Sequence, residues 1–201
     1  MEMEKPYIAS LTREPFLFYE MRTTAHLMAG GKTESEILEE IYTQNLFQYP
    51  TERSILRIAR ACIRRLHGLE DESLLRAVYE ESTAVSKQIC LYAIMKDSRL
   101  IQEFMVNVIG GKYRVQDLSF SRMELNVFFL HLQEQNIKVA GWSEATIKKL
   151  KQIMMRILVE TEYLDDLQTE HLNPVLLGSL LKNVMQERQE RALLTAFNCF
   201  I

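Results

Sequence analysis

Arginine recurs between Thr51 and His67 at i, i+4, i+7 and i+11, as Arg53, Arg57, Arg60 and Arg64. On a helix, at 100° per residue, these four side chains fall within an arc of about 60°. A guanidinium is a planar fork that meets a phosphate through two parallel N–H donors, so an all-arginine face points to phosphate or nucleic acid. Ile55, Ala59, Cys62 and Leu66 fall on the opposite side, with Ile58 and Arg65 flanking the two faces. The segment holds five arginines against Glu52, a net +4 in a chain of net charge −3. A solvated amphipathic helix fits the same pattern, and Glu34, Glu36, Glu39 and Glu40 are near enough in sequence to neutralise it from a neighbouring helix.

A second basic segment lies at 138–156, where Lys138, Lys148, Lys149, Lys151 and Arg156 stand against Glu144. Ile147, Leu150, Ile153, Met154, Ile157 and Leu158 form its apolar stripe, and Lys148, Lys149, Gln152 and Arg156 point elsewhere. Such a helix docks on a duplex with its N-terminal residues near a groove and its lysines near phosphates. A core helix with a lysine-rich outer face is the competing reading. The candidate nucleic-acid contacts are therefore Arg53, Arg57, Arg60, Arg64, Arg65, Lys148, Lys149, Lys151 and Arg156.

Other chemistry is not spelled out. Gly31-Lys32-Thr33 ends like a phosphate-binding loop, but the first glycine of that motif falls on His26. His26, His67, His131 and His171 have no ligand spacing with one another or with Cys62, Cys90 and Cys199, so neither a metal nor a cofactor is expected. Asp165-Asp166 sits in a polar stretch that suits capping. No nucleophile elbow is present. The expectation is a non-enzymatic protein.

The elements that position these residues are helical. Only 7 glycines and 4 prolines punctuate the chain, too few for the turns of an all-β fold. The apolar runs are near seven residues, whereas a membrane span needs about 20. Helices are expected at 15–29, 34–45, 51–67, 70–81, 83–95, 98–109, 121–135, 144–160 and from Asn173-Pro174 to about Phe197. Thr33-Glu34-Ser35-Glu36 and Ser121-Arg122-Met123-Glu124 read as capping boxes. The helix before Thr51 and the arginine helix together have a helix-turn-helix outline. Residues 163–172 leave room for a short β hairpin, a wing. Gly110-Gly111 reads as the main break, with a soft boundary near Lys112–Ser119. That divides residues 1–115 from a winged-helix-like 116–201, the two being able to pack as one unit. The fold class is all-α.

The order of segments resembles the BrxA family of the bacteriophage exclusion (BREX) systems of bacteria. The resemblance rests on Tyr7-Ile8-Ala9-Ser10-Leu11, Pro15-Phe16-Leu17, Glu20 and Arg22, and Asn45-Leu46-Phe47. It continues through the arginine segment, Lys87–Met95, Glu103-Phe104-Met105, Gly141-Trp142-Ser143 and Thr146–Leu150. It implies a non-enzymatic protein that binds double-stranded DNA beside other BREX proteins; the expectation of a cytoplasmic protein rests instead on the sparse, odd cysteine count and the lack of a long apolar run. A helical fold similar to that of antitermination factors keeps RNA open, and a helical protein–protein adaptor is the alternative. No residue role transfers from the family.

Overall fold

Five of the helices begin at a short polar side chain that accepts one of the backbone N–H groups a first turn leaves without a partner. The computed structural model describes residues 5–200. Thr33 opens α2 (Glu34–Thr43) through a capping box, with the Glu36 carboxylate 2.8 Å from the Thr33 amide. Thr51 opens α3 (Glu52–His67) by accepting from Ser54 N at 3.3 Å. Asp71 opens α4 (Glu72–Glu80). Ser121 opens α8 (Arg122–Gln135) with a second capping box, and Ser143 opens α10 (Glu144–Glu160). The first helix, α1 (Phe18–Ala29), starts three residues later than Pro15 because Leu17 takes a left-handed backbone, φ 60°.

The chain packs as two units, one of Phe16–Asp97 and one in which the N-terminal segment up to Pro15 joins residues from Ser98 onward. The boundary expected near Lys112–Ser119 falls inside the second of these. In the first unit α1 lies against α3 and α4, α2 against α3, and both α3 and α4 against α5 (Thr83–Asp97). Residues Ile89 to Met95 of α5 are all buried, as befits a helix apolar on every side.

In the second unit α6 (Arg99–Glu103), a π-helical stretch (Phe104–Ile109) and α7 (Gly110–Arg114) follow one another without a break. Gly110-Gly111 therefore does not interrupt the chain. A Cβ on Gly110 would lie 2.5 Å from Thr195 Oγ1, so this glycine permits a close approach to α12 (Arg191–Thr195). Phe104, Phe120, Phe128 and Phe129 form an aromatic cluster beneath α8. The short α9 (Ile137–Ala140) joins α8 to α10.

Two further expectations need correction. No hairpin forms at 163–172; His171 instead bridges Ser119, with Phe120 N donating to Glu170 O at 3.0 Å. Tyr163, Leu164 and Leu172 are buried, and Asp166 closes the loop between them on Gln168 and Thr169. Nor does a helix start at Asn173-Pro174. The Asn173 amide donates back to Asp165 and Glu162, its carbonyl accepts from Tyr113, and α11 (Ser179–Glu187) begins only after Gly178.

The two neighbouring glycines separate packing from propensity. Gly110→Ala should destabilise the protein by about 2 kcal/mol, an overpacking cost. Gly111→Ala, with nothing within 4 Å of its new Cβ, should gain up to about 1 kcal/mol from helix propensity. Urea midpoints of the two variants check this; equal shifts would mean that the Thr195 contact is not what requires Gly110.

Candidate nucleic-acid interface

The roll of α3 about its axis decides which arginines face water. Ile55, Ile58, Ala59, Cys62, Ile63 and Leu66 are buried, so the opposite arc is outward. Arg53 and Arg60 are exposed and Arg57 is half-buried. Among the described residues none of these three has an ion pair. Arg57 Nε is buried with no hydrogen-bond partner. Nearby Tyr49 donates to Glu20 at 2.8 Å, and burial with that contact pushes its hydroxyl up to about 12.

The glutamates of α2 do not quench this face. Glu40 pairs with Lys32 and Glu36 is committed to Thr33, while Glu34 and Glu39 have no partner on α3.

The last two arginines are engaged in the fold. Arg64 is held by Asp97 in a two-point pair, Nε–Oδ1 at 2.8 Å and a second N–H–Oδ2 bond at 3.0 Å, with its side chain 48% exposed. Arg65 is 1% exposed; it lies 3.6 Å from Asp97 Oδ2 and donates to Phe16 O at 3.4 Å. Arg65 thus leaves the candidate set, because a guanidinium sealed in the core meets no ligand. Its phase, at the edge of the apolar arc, was the sequence signal for this.

The helix-turn-helix outline also changes. Residues 44–51 make an eight-residue connection between α2 and α3, where that motif uses about three or four.

On α10, Lys148, Lys149 and Arg156 are exposed and Lys151 is half-buried. Lys148, Lys151 and Arg156 line one groove between α8 and α10, of about 750 Å3. Lys151 Nζ donates to Asn126 at 2.9 Å and sits 5.5 Å from the Phe129 ring centre. Lys149 is outside this groove. Arg122, which the sequence showed only as part of a capping box, joins it as a fourth cation. Glu144 is the one acid of the lining, and Leu125, Ile147, Met155 and Leu167 form its apolar part. Among the described residues no three His, Cys, Asp or Glu side chains are grouped to hold a metal ion, and no helix is long and apolar enough to cross a membrane.

Asp97 holds the two arginines at the C-terminal end of α3. Asp97→Ala should cost about 3 kcal/mol, since it removes a carboxylate from beside a buried guanidinium. Arg64→Ala, removing the exposed member, should cost no more than about 1 kcal/mol. Thermal or urea unfolding distinguishes them, and equal costs would mean that Arg65 draws its support from elsewhere.

Comparison with known proteins gives a consistent neighbourhood. The family model described as BrxA matches residues 5–189. A Bacillus cereus (strain H3081.97) protein called BREX protein BrxA is 37% identical over 164 residues, 82% of each chain. A protein of the same name from Paramagnetospirillum magneticum (strain ATCC 700264 / AMB-1) is 26% identical over 172 residues, 86% of each. A crystal structure of an uncharacterized protein from Magnetospirillum magneticum has the same fold, with TM-score 0.80 over 96% of this chain and 98% of that one, at 24% identity.

Proposed function

The chain belongs to the BrxA family, and from that premise we propose that it is a non-enzymatic, DNA-binding component of a bacterial BREX phage-defence system. It works beside other BREX proteins, as the name of its relatives suggests, and the cytoplasm is its place in this proposal. It holds duplex DNA through backbone phosphates. The observation that carries this is the outward arc of Arg53, Arg57 and Arg60, three guanidinium groups without an acidic partner among the described residues. Unpaired arginines keep their forks open for phosphate oxygens, and each contact releases condensed counterions from the duplex.

The α8–α10 groove supports the same reading. Arg122, Lys148, Lys151 and Arg156 converge there with Asn126 and Gln152, and Lys149 lies on the same helix. Its lining has aliphatic and amide groups and no ring on which an unstacked base could lie. Binding of single strands draws on such rings, so the groove favours a backbone over splayed bases. Arg64 contributes less than its three neighbours because Asp97 already occupies its fork.

Fluorescence anisotropy with a labelled duplex, titrated at several salt concentrations, tests the proposal. The three free arginines should contribute about −2.7 to the log–log salt slope, at about −0.9 per phosphate neutralised. The R53E/R57E/R60E variant should lose binding while keeping its helical circular dichroism. Absence of binding by the parent protein at low salt would refute the function; retention of affinity by the variant would refute the α3 site. Competition with structured RNA then decides between the two nucleic acids.

A further inference from the structure

Glu20 is the acid in the first turn of α1, a helix whose N-terminus has no side-chain cap. A carboxylate there suits the positive end of the helix dipole. It has a phenol for a neighbour: the Tyr49 hydroxyl, from the connection that leads into α3, donates to Glu20 Oε1 at 2.8 Å. Burial raises that hydroxyl and Glu20 raises it further, whereas the Arg57 guanidinium pulls it down, so one phenol lies in the field of both charges. Arg57 Nε is buried without a hydrogen-bond partner, while the terminal amino groups of the same side chain reach water. Among the described residues Arg57 has no ion pair, with Glu20 or with any other acid. From this arrangement we infer that Tyr49 is a positioning residue for Arg57: by holding the Glu20 carboxylate, it keeps that acid off the guanidinium and leaves the guanidinium open to a phosphate.

A guanidinium takes a carboxylate and a phosphate through the same fork of N–H donors, so the two compete for it. Arg64, on the same arc of α3, shows the outcome when the carboxylate wins: Asp97 occupies its fork from two points. At Glu20 the phenol offers the carboxylate a different partner. A hydroxyl satisfies the acid without neutralising it, so the negative charge stays at the start of α1. The phenol keeps its proton to do so, its hydroxyl being pushed up to about 12. Glu20 thus serves α1 and Arg57 stays available to a ligand, although both act on one tyrosine. The inference rests on the phosphate-binding reading of α3 and supplies the device that keeps that site open.

Tyr49→Phe keeps the ring and deletes the donor. In anisotropy titrations of the full chain with a labelled duplex, it should bind up to about eightfold more weakly at about 0.1 M salt, and its log–log salt slope should be shallower by about 0.9, the share of one phosphate. Adding Glu20→Gln removes the competing charge, so Y49F/E20Q should recover the parent's affinity and slope. E20Q alone, whose amide oxygen still accepts from Tyr49, should bind like the parent. A hydrogen bond that only braced the connection would act differently: Y49F would lose stability, and E20Q would not mend its binding. A Y49F variant with the parent's affinity and slope would overturn the inference and leave duplex binding standing. So would a Y49F/E20Q variant as weak as Y49F, or an E20Q variant that binds as weakly. A parent protein that binds no duplex at low salt would refute the inference together with the function it rests on.

Discussion

Asp97 and Arg65 form the constraint around which the first unit is arranged. A guanidinium at 1% exposure has given up its water, and without a counter-charge that would cost several kcal/mol. Asp97 is the last residue of α5, the end where a helix dipole disfavours a carboxylate. The two problems offset each other: the carboxylate lies 3.6 Å from Arg65 and also holds Arg64. Phe16 supplies a carbonyl to the same buried guanidinium from the segment just before α1. One ionic knot thus joins α5, α3 and the entry to α1, and it fixes the roll of α3. With that roll set, Arg53 and Arg60 face outward and Arg57 stands half-buried between them.

The basic character of the surface comes from where the acids are tied, because the chain is acidic in sum, with 27 Asp and Glu against 24 Lys and Arg. Glu36 and Glu124 close capping boxes, Asp71 caps α4, and Asp166 accepts two backbone N–H groups of its own loop. Those hydrogen bonds hold the Asp166 carboxyl below its ordinary range, the Gln168 amide foremost. Acids committed to helix starts and loop closures are held in place there. At physiological salt the field between exposed charges fades over about 8 Å, so three unpaired arginines can make a locally positive surface on a negative protein.

What was legible in the sequence was whatever a short window determines. Thr33, Thr51, Ser121 and Ser143 start their helices as their side chains dictate, and the apolar phase of α3 correctly gave its buried stripe. The misses share one cause, a partner distant in sequence. Gly110 looks like a break until Thr195 is seen packed on it. Asn173-Pro174 looks like a helix start, but Tyr113, Asp165 and the Glu162 carbonyl hold that asparagine in a loop. Residues 163–172 read as a polar, irregular stretch with room for a hairpin, yet the strand-like pairing goes to Ser119. Arg65 stood between the two faces by phase, and an acid that holds it, Asp97, lies 32 residues on.

Arg122 shows how one position can serve two scales of structure. As the first residue of α8 its backbone belongs to the capping box, and that is all a local pattern reports. Its long side chain extends beyond the helix end into the α8–α10 groove, where Lys148 and Arg156 come from a helix that starts 22 residues later. A charge-per-segment count along the sequence places Arg122 in a slightly acidic stretch and the lysines in a basic one. Only the packing of α8 beside α10, set by Leu125, Phe129, Ile147 and Leu150 turning inward, makes them one cationic rim. The apolar stripe that each helix buries is therefore what assembles the charges on the side it leaves to water.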